Sequence, residues 1–299
     1  MWWGPRMAAL GIEGPAGRSS RPFRFALTLP GALVTLLLIL FALFLLFLLA
    51  FRVNDSSLFG TGFTFDNFVT VATDPLYGLV IVRSLVIAGL VTLATVVTAY
   101  PIAYYLSFHA GAHRPLILFL VTLPFWTSYL LRVFAWKIVL AYNGVLNSAL
   151  MLTGIWHSPS TAFLNTPAAV VLTLAHAYAP FAILPILVSL DTIPRSLAEA
   201  AADLGARPFT TFRRVILPNS MPGVLAGAIV VFVPTVGDYV TPALVGGPSS
   251  AMIGTLIQAQ FGKAQDWPFG SALAVVVMLV ILAVIVAVRF ADRRFGSRA

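Results

Sequence analysis

The sequence contains no cysteine, and only 9% of its 299 residues are charged. The missing cysteine excludes a disulfide framework, a thiolate metal site and a cysteine nucleophile. By contrast, 60% of the residues are hydrophobic. That balance excludes an ordinary soluble domain, because a soluble core of this size could not hide so much apolar surface. Lipid must therefore be the solvent for much of the chain.

A net charge of +8 could indicate a nucleic-acid partner. The basic residues, however, stand in short clusters beside apolar runs rather than in one patch. Such clusters are typical of the ends of membrane spans. We therefore expect a lipid bilayer, and no nucleic acid, around this chain.

Long apolar runs almost free of charge predict six transmembrane helices. The run from Leu33 to Phe51 is longer than the apolar core of a signal peptide, which is about 7–15 residues, so it predicts an uncleaved first span. We expect an all-α, polytopic fold with one transmembrane domain at 27–290, between tails at 1–26 and 291–299. The predicted helices cover about 27–52, 79–106, 115–141, 167–190, 220–244 and 270–290.

The distribution of basic residues predicts the orientation. Six spans place both termini on one face, together with the segments 107–114 and 191–219. Of the 18 Lys and Arg residues, 13 belong to this face. The positive-inside rule therefore predicts that the N- and C-termini, and the loop 191–219, are cytoplasmic.

The loop 191–219 is a polar island between two apolar runs. Asp191 or Thr192 is a candidate cap for a helix whose first turn would hold Pro194. On one side of this helix, charged residues follow one another at i,i+4 and could pair. They are Arg195, Glu199 and Asp203.

Further along the island, Gly205 predicts the end of this helix, because glycine accepts the left-handed cap conformation cheaply. Pro208 can start a second short helix, and we expect Pro218 to end it before the chain re-enters the membrane. The pattern predicts a helix, a glycine turn and a helix on the cytoplasmic surface. Two interpretations fit: a docking element for a partner, or an interfacial amphipathic loop without one.

Two charged residues lie inside predicted spans. Arg132 and Asp238 each fall about 25–27 Å from the cytoplasmic end of their helix, and charges at membrane depth normally face a partner or a water-filled cavity. They could form an ion pair, Asp238 could attract a cationic substrate, or both could be interfacial. Nearby aromatic residues could hold alkylammonium groups by cation–π attraction or belong to the aromatic belt at the interface. These are Trp126, Tyr129 and Tyr239.

The polar island also carries a sequence signature: Glu-Ala-Ala, three residues, Gly, nine residues, Ile-x-Leu-Pro. The chain matches it at Glu199, Ala200, Ala201, Gly205, Leu217 and Pro218, and Val215 replaces the isoleucine. With this loop, the chain resembles the permeases of ABC importers. The segments 124–129 and 236–242 look like the third- and fifth-helix regions of spermidine/putrescine-type permeases, and the resemblance covers about 25–295.

This resemblance implies a type I ABC importer permease fold in the inner membrane of a bacterium. It implies that 191–219 is a coupling loop that docks on a separate ATPase. The implied ATPase-coupling residues are Glu199, Ala200, Ala201, Asp203, Gly205, Leu217 and Pro218. The implied partners are a second permease in a heterodimer, two ATPase subunits and an extracytoplasmic solute-binding protein.

No phosphate-binding loop of the form Gly-x-x-x-x-Gly-Lys-[Ser/Thr] occurs in the sequence. Gly262-Lys263 is followed by Ala264 and lacks the upstream glycine, so this chain cannot hydrolyse ATP by that mechanism. We expect no enzyme activity and no cofactor on this chain, with ATP and magnesium bound by the partner ATPase.

The resemblance implies a polyamine such as spermidine or putrescine as the solute. Related permeases also suggest an opine or another amine and, more distantly, sulfate or ferric ion. Two other classes of membrane protein remain as alternatives: a secondary transporter that works without an ATPase, and a membrane scaffold. A secondary transporter would be expected to show inverted-repeat halves with paired broken helices, and the two halves of this sequence do not match.

Overall fold

The computed structural model describes residues 21–54, 62–154 and 156–296, and the side chains of 29–54, 62–154 and 156–290 within them. The chain divides into two compact units, Met1–Leu48 and Leu49–Ala299. In the first unit, the described part belongs to helix α1 (Arg21–Ala50), which contains Pro30. Most of the predicted tail at 1–26 lies outside the described residues, as do residues 297–299 of the C-terminal tail.

The described part of the second unit is also helical. Its helices are α2 (Asp66–Thr73), α3 (Pro75–Phe108), α4 (Arg114–Thr122), α5 (Tyr129–Leu140), α6 (Val145–Leu152), α7 (Pro167–Asp191), α8 (Arg195–Asp203), α9 (Pro208–Thr211), α10 (Leu217–Val236), α11 (Ile253–Ala259) and α12 (Trp267–Gly296).

Six helical segments of the described chain are long and apolar enough to cross a membrane. They are Leu29–Ala50, Pro75–Phe108, Tyr129–Leu152, Pro167–Asp191, Pro208–Val236 and Trp267–Phe290. The predicted all-α fold with six spans is therefore confirmed.

Helices α3, α7 and α10 pack against one another and form the main core of the second unit. Glycine lets α7 and α10 approach closely: a Cβ on Gly223 would lie 2.3 Å from the Cβ of Ser189 and 2.6 Å from the carbonyl oxygen of Pro185. Small residues at such crossings are typical of helix packing in membranes. One buried polar contact joins α3 to α10, with 2.8 Å between the hydroxyls of Tyr100 and Ser220.

A second cluster packs α12 against α2, α3 and α11, with Leu273 and Val277 from α12 among its buried residues. The backbone N–H of Ile253, at the start of α11, donates to the hydroxyl of Ser84 on α3 over 2.7 Å. This bond fixes the segment after α10 to the core.

The third predicted span is not one continuous helix over 115–141. Helix α4 ends at Thr122, a 3₁₀ turn covers Leu123–Trp126, and Ser128 is non-helical before α5 begins. Pro124 explains the break, because proline has no N–H to donate and its ring obstructs the preceding turn of an α-helix.

The fifth span also differs from its predicted bounds of 220–244. A π-turn at Phe212–Ile216 joins α9 directly to α10, so the expected end at Pro218 is wrong. Pro218 lies in the first turn of α10, directly after the π-turn, where the local change of hydrogen-bond pattern can accommodate the missing N–H. Helix α10 ends at Val236, with Gly237 as its C-terminal cap, and does not continue to 244.

Candidate functional site

The first candidate site is the polar loop between α7 and α10. Asp191 is the last residue of α7 and Thr192 is its C-terminal cap, whereas Pro194 precedes α8. The expectation that Asp191 or Thr192 starts the loop helix is therefore wrong. Asp191 has other partners: its carboxylate accepts a 2.8 Å hydrogen bond from the hydroxyl of Ser107 and forms an ion pair with Arg114.

The charged residues of α8 do not pair with one another. Among the described residues, no ion pair links Arg195, Glu199 and Asp203, and all three side chains are exposed. Ala200 is also exposed, and Ala201 is half-buried. Helix α8 therefore presents charged side chains beside a slim alanine face that a partner could approach closely.

The turn after α8 is a Schellman motif. The N–H of Ala206 donates to the carbonyl of Ala201 over 3.0 Å, and the N–H of Gly205 donates to the carbonyl of Ala202 over 2.8 Å. Gly205 has φ +79°, which is the left-handed conformation this motif needs. The predicted glycine stop is confirmed, and Pro208 begins α9 as expected.

Phe212 anchors the loop to the core, and the sequence analysis missed this residue. Its ring packs edge-on against the rings of Tyr100 and Tyr104, at centroid distances of 5.7 and 5.8 Å. The last two residues of the signature follow on α10, where Leu217 is half-buried and Pro218 is exposed. The exposed α8 turn is thus joined through a short aromatic contact to α3.

The second candidate site lies where two spans are interrupted. Asp238 follows the end of α10 and is only 8% exposed. Its carboxylate accepts a 2.7 Å hydrogen bond from the hydroxyl of Tyr129, the first residue of α5. The hydroxyls of Tyr129 and Thr241 are 2.6 Å apart. Since the single phenolic proton goes to Asp238, Thr241 must donate to Tyr129.

Arg132 lies beside this cluster without a direct ion pair to Asp238 in the described chain. Its guanidinium donates to the carbonyl of Ala177 on α7 over 2.9 Å, and its Cζ is 5.9 Å from the ring centroid of Tyr129. The Nε of Arg132 is buried without a hydrogen-bond partner. Both charged residues therefore lie next to Tyr129, which hydrogen-bonds to Asp238 and has Arg132 near its ring.

The other two aromatic candidates lie outside this hydrogen-bonded cluster. Trp126 ends the 3₁₀ turn before α5 and is 82% exposed. Tyr239 is 48% exposed and lines a separate groove. Thr241 and the carbonyl of Ala177 complete the cluster. Thr241 lies within the segment 236–242 that carries the resemblance, but its side chain gives no separate signal there, and a helix carbonyl such as that of Ala177 gives none in any membrane span.

Residues 92–297 match the family model described as "Binding-protein-dependent transport system inner membrane component". The spermidine/putrescine transport system permease protein PotB of Escherichia coli (strain K12) is 39% identical over 228 residues, which cover 76% of this chain and 82% of PotB. The protein of the same name from Haemophilus influenzae is 36% identical over 243 residues, with 81% and 84% covered.

A solved structure supports the same fold. The crystal structure of a bacterial alginate ABC transporter, in complex with an alginate pentasaccharide-bound periplasmic protein, contains a chain that matches with a TM-score of 0.69 at 19% identity. The match covers 92% of this chain and 95% of that one. This chain belongs to the binding-protein-dependent transport system inner membrane component family, and it is a multi-pass inner-membrane permease of an ABC importer.

Proposed function

We propose that this permease moves a polyamine such as spermidine or putrescine into the cytoplasm, coupled to ATP hydrolysis on a separate subunit. The observation that carries the solute class is Asp238, a nearly buried carboxylate at a break between helical segments. It agrees with the solute named for the curated relatives. A membrane-depth carboxylate is expensive unless it serves a pathway or a partner.

The geometry around Asp238 suggests how an ammonium group would bind and leave. The Tyr129 hydroxyl donates a hydrogen bond to one carboxylate oxygen of Asp238, and the N–H of Val240 donates to the other over 3.1 Å. An arriving ammonium would replace the Tyr129 hydroxyl as a charged, stronger donor. Arg132, whose Cζ lies 5.9 Å from the centroid of the Tyr129 ring, opposes a second positive charge and so keeps binding weak enough for release.

The loop between α7 and α10 supports coupling to an ATPase. Helix α8, the Gly205 turn and α9 form an exposed element whose alanine face suits close approach by a groove, and the distribution of basic residues favours a cytoplasmic position for it. In the proposed assembly, Glu199, Ala200, Ala201 and Asp203 contact the ATPase, and Gly205, Leu217 and Pro218 set the geometry of the loop.

The proposed assembly has three other subunits and a separate solute-binding protein. A second permease completes the pathway as a heterodimer, two ATPase subunits bind ATP and magnesium, and an extracytoplasmic solute-binding protein delivers the polyamine. This chain binds no cofactor and performs no catalysis. Its contribution is the pathway and the docking loop.

Uptake by the complete complex in proteoliposomes tests the proposal. With labelled spermidine or putrescine and the solute-binding protein outside, we expect uptake that requires internal ATP. Asp238→Asn should lower uptake by about ten- to a hundredfold, the size of a lost hydrogen bond to a charged group. Asp66→Asn, an exposed acid at the start of α2, is the matched control and should not change uptake.

Two results would contradict the proposal. Uptake driven by an ion gradient without ATP would indicate a secondary transporter. ATP-driven uptake of an opine, sulfate or ferric ion, without uptake of spermidine or putrescine, would support the importer but contradict the proposed solute.

A further inference from the structure

A groove of about 410 Å³ opens beside the backbone of Asp238. Gly237 and Tyr239, the residues on either side of Asp238, line one wall. The opposite residues come from α11 and the π-turn that follows it, namely Ile257, Gln258 and Phe261. The carboxylate of Asp238 itself faces Tyr129, so the groove is adjacent to the Asp238 cluster but distinct from it.

Close backbone contact holds the two walls together. A Cβ on Gly254 would lie 2.3 Å from the carbonyl oxygen of Gly237 and 2.8 Å from that of Asp238. No side chain fits there, so glycine is required for α11 to approach the break. This contact holds α11, with Gln258, in a fixed position beside the end of α10.

The aromatic wall is also fixed in position. The ring of Phe261 packs edge-on against Trp267, with centroids 5.7 Å apart and planes at 89°. A Cβ on Gly270 would lie 3.2 Å from a ring carbon of Phe261, so the start of α12 lies close against this ring. π-turns such as Gln260–Ala264 are frequent at functional sites in helical proteins. A ring held in this way can act as a preformed binding surface.

The chemistry of the wall suits an alkylammonium group. Tyr239 and Phe261 offer aromatic rings that attract a cation, the Gln258 side chain offers an amide oxygen, and Ile257 offers an aliphatic surface for methylene groups. We propose that this groove is a second subsite of the pathway, which holds one ammonium end of the polyamine next to Asp238. The proposal rests on the function proposed above.

An anion fits this groove poorly. The faces of aromatic rings carry negative potential and repel it, and no Lys or Arg is among the lining residues. Lys263 follows the last lining residue, but its side chain is exposed and outside the lining. The groove therefore discriminates by charge as well as by shape.

The test uses the complete complex in proteoliposomes, with spermidine delivered by its binding protein at a limiting concentration. Phe261→Leu keeps an apolar side chain of similar size but removes the ring. We expect it to lower spermidine uptake by roughly three- to thirtyfold, the range of a lost cation–π contact. Phe261→Tyr keeps the ring and should restore uptake to within about twofold of the original. Phe119→Leu makes the same replacement at an exposed ring on α4 that does not line the groove, so it is the matched control and should leave uptake unchanged.

ATP hydrolysis stimulated by the loaded binding protein is measured on the same samples. The rate should be equal in all variants, and equal rates would show that every variant assembles and couples to the ATPase. Equal uptake in Phe261→Leu and the unchanged chain would overturn the subsite and leave the proposed function standing. An equal loss in Phe261→Tyr and Phe261→Leu would also overturn it, since the ring would then not matter. Absence of spermidine uptake by the unchanged complex would overturn both proposals.

Discussion

The hydroxyl of Tyr129 donates a 2.7 Å hydrogen bond to the carboxylate of Asp238. Tyr129 directly follows a break in its span, and Asp238 lies within one. One break covers the 3₁₀ turn before α5, and the other follows α10. Non-helical backbone at membrane depth is tolerated where it is buried in protein or lines a cavity. The Tyr129–Asp238 bond therefore joins two interrupted helices.

Replacement of Tyr129 by Phe should weaken this junction. The variant removes a hydrogen bond to a charged acceptor, which contributes about 1.5–3 kcal/mol, and leaves the Asp238 carboxylate with one donor fewer. We expect a lower thermal unfolding midpoint of the purified complex in detergent. Tyr178→Phe is the control, because its ring lies 6.4 Å from that of Tyr129 but its hydroxyl makes no hydrogen bond to described residues. Equal midpoints for the two variants would show that the hydroxyl of Tyr129 does not stabilise the junction.

The spans and the helix–turn–helix form of the loop 191–219 could be predicted from sequence because each depends on a local signal. Charge-free runs determine where the chain can cross lipid, and Gly205 stops α8 because the Schellman turn needs a left-handed residue. Pro208 likewise starts α9 as expected, since proline fits a first turn. These features are decided within a few neighbouring residues.

The features that were missed depend on tertiary contacts or on an irregular helical turn. Asp191 looked like a helix cap, but Arg114 and Ser107, far away in sequence, hold its carboxylate at the end of α7. Pro218 looked like a stop, but the π-turn before it lets the helix continue. Arg132 and Asp238 have matching predicted depths in the membrane, which made a direct ion pair one of the options. Depth alone could not show that the hydroxyl of Tyr129, and not Arg132, contacts the carboxylate of Asp238. Long-range partners decided the cases of Asp191 and of Arg132 with Asp238, whereas an irregular turn next to Pro218 decided the other.

The turn at Gly205 gives a prediction about coupling. Gly205→Val should sharply lower ATP hydrolysis stimulated by the binding protein, because a β-branched residue is a conformational outlier at φ +79°. Nothing lies within 4 Å of a Cβ at this position, so the defect would come from backbone strain and not from a clash. Gly205→Asn should retain most of the activity, since Asn tolerates the left-handed conformation.

Measurement of ATPase co-purification with each variant separates docking from later steps. Both variants should remain in the membrane, but Gly205→Val should recover less ATPase subunit. If Gly205→Asn and Gly205→Val lost coupling equally, the backbone conformation would not be the reason.

The ion pair of Arg114 and Asp191 should contribute little to stability. The two side chains are 37% and 32% exposed, and pairs with such access to water typically contribute about 0.2–1 kcal/mol. We expect a double-mutant cycle with Arg114→Gln and Asp191→Asn to give a coupling free energy in that range, measured from thermal unfolding midpoints at low salt. The coupling should shrink at high salt, because exposed charges are screened. A coupling that salt does not change would indicate a more buried pair.

The contact between α7 and α10 gives the sharpest test of the core. Gly223→Ala should destabilise the permease by about 1–3 kcal/mol, the usual cost of an extra carbon in a packed interior. The reason is that its Cβ would lie within 2.3 Å of Ser189 and 2.6 Å of a backbone oxygen of Pro185, and backbone cannot move aside cheaply. Gly89→Ala on α3 is the matched control, with nothing within 4 Å of its Cβ. It should be neutral or slightly stabilising, because alanine is the better helix former. The measurement is the thermal unfolding midpoint of each variant. Equal midpoints for Gly223→Ala and Gly89→Ala would mean that α7 and α10 pack less tightly than this geometry requires.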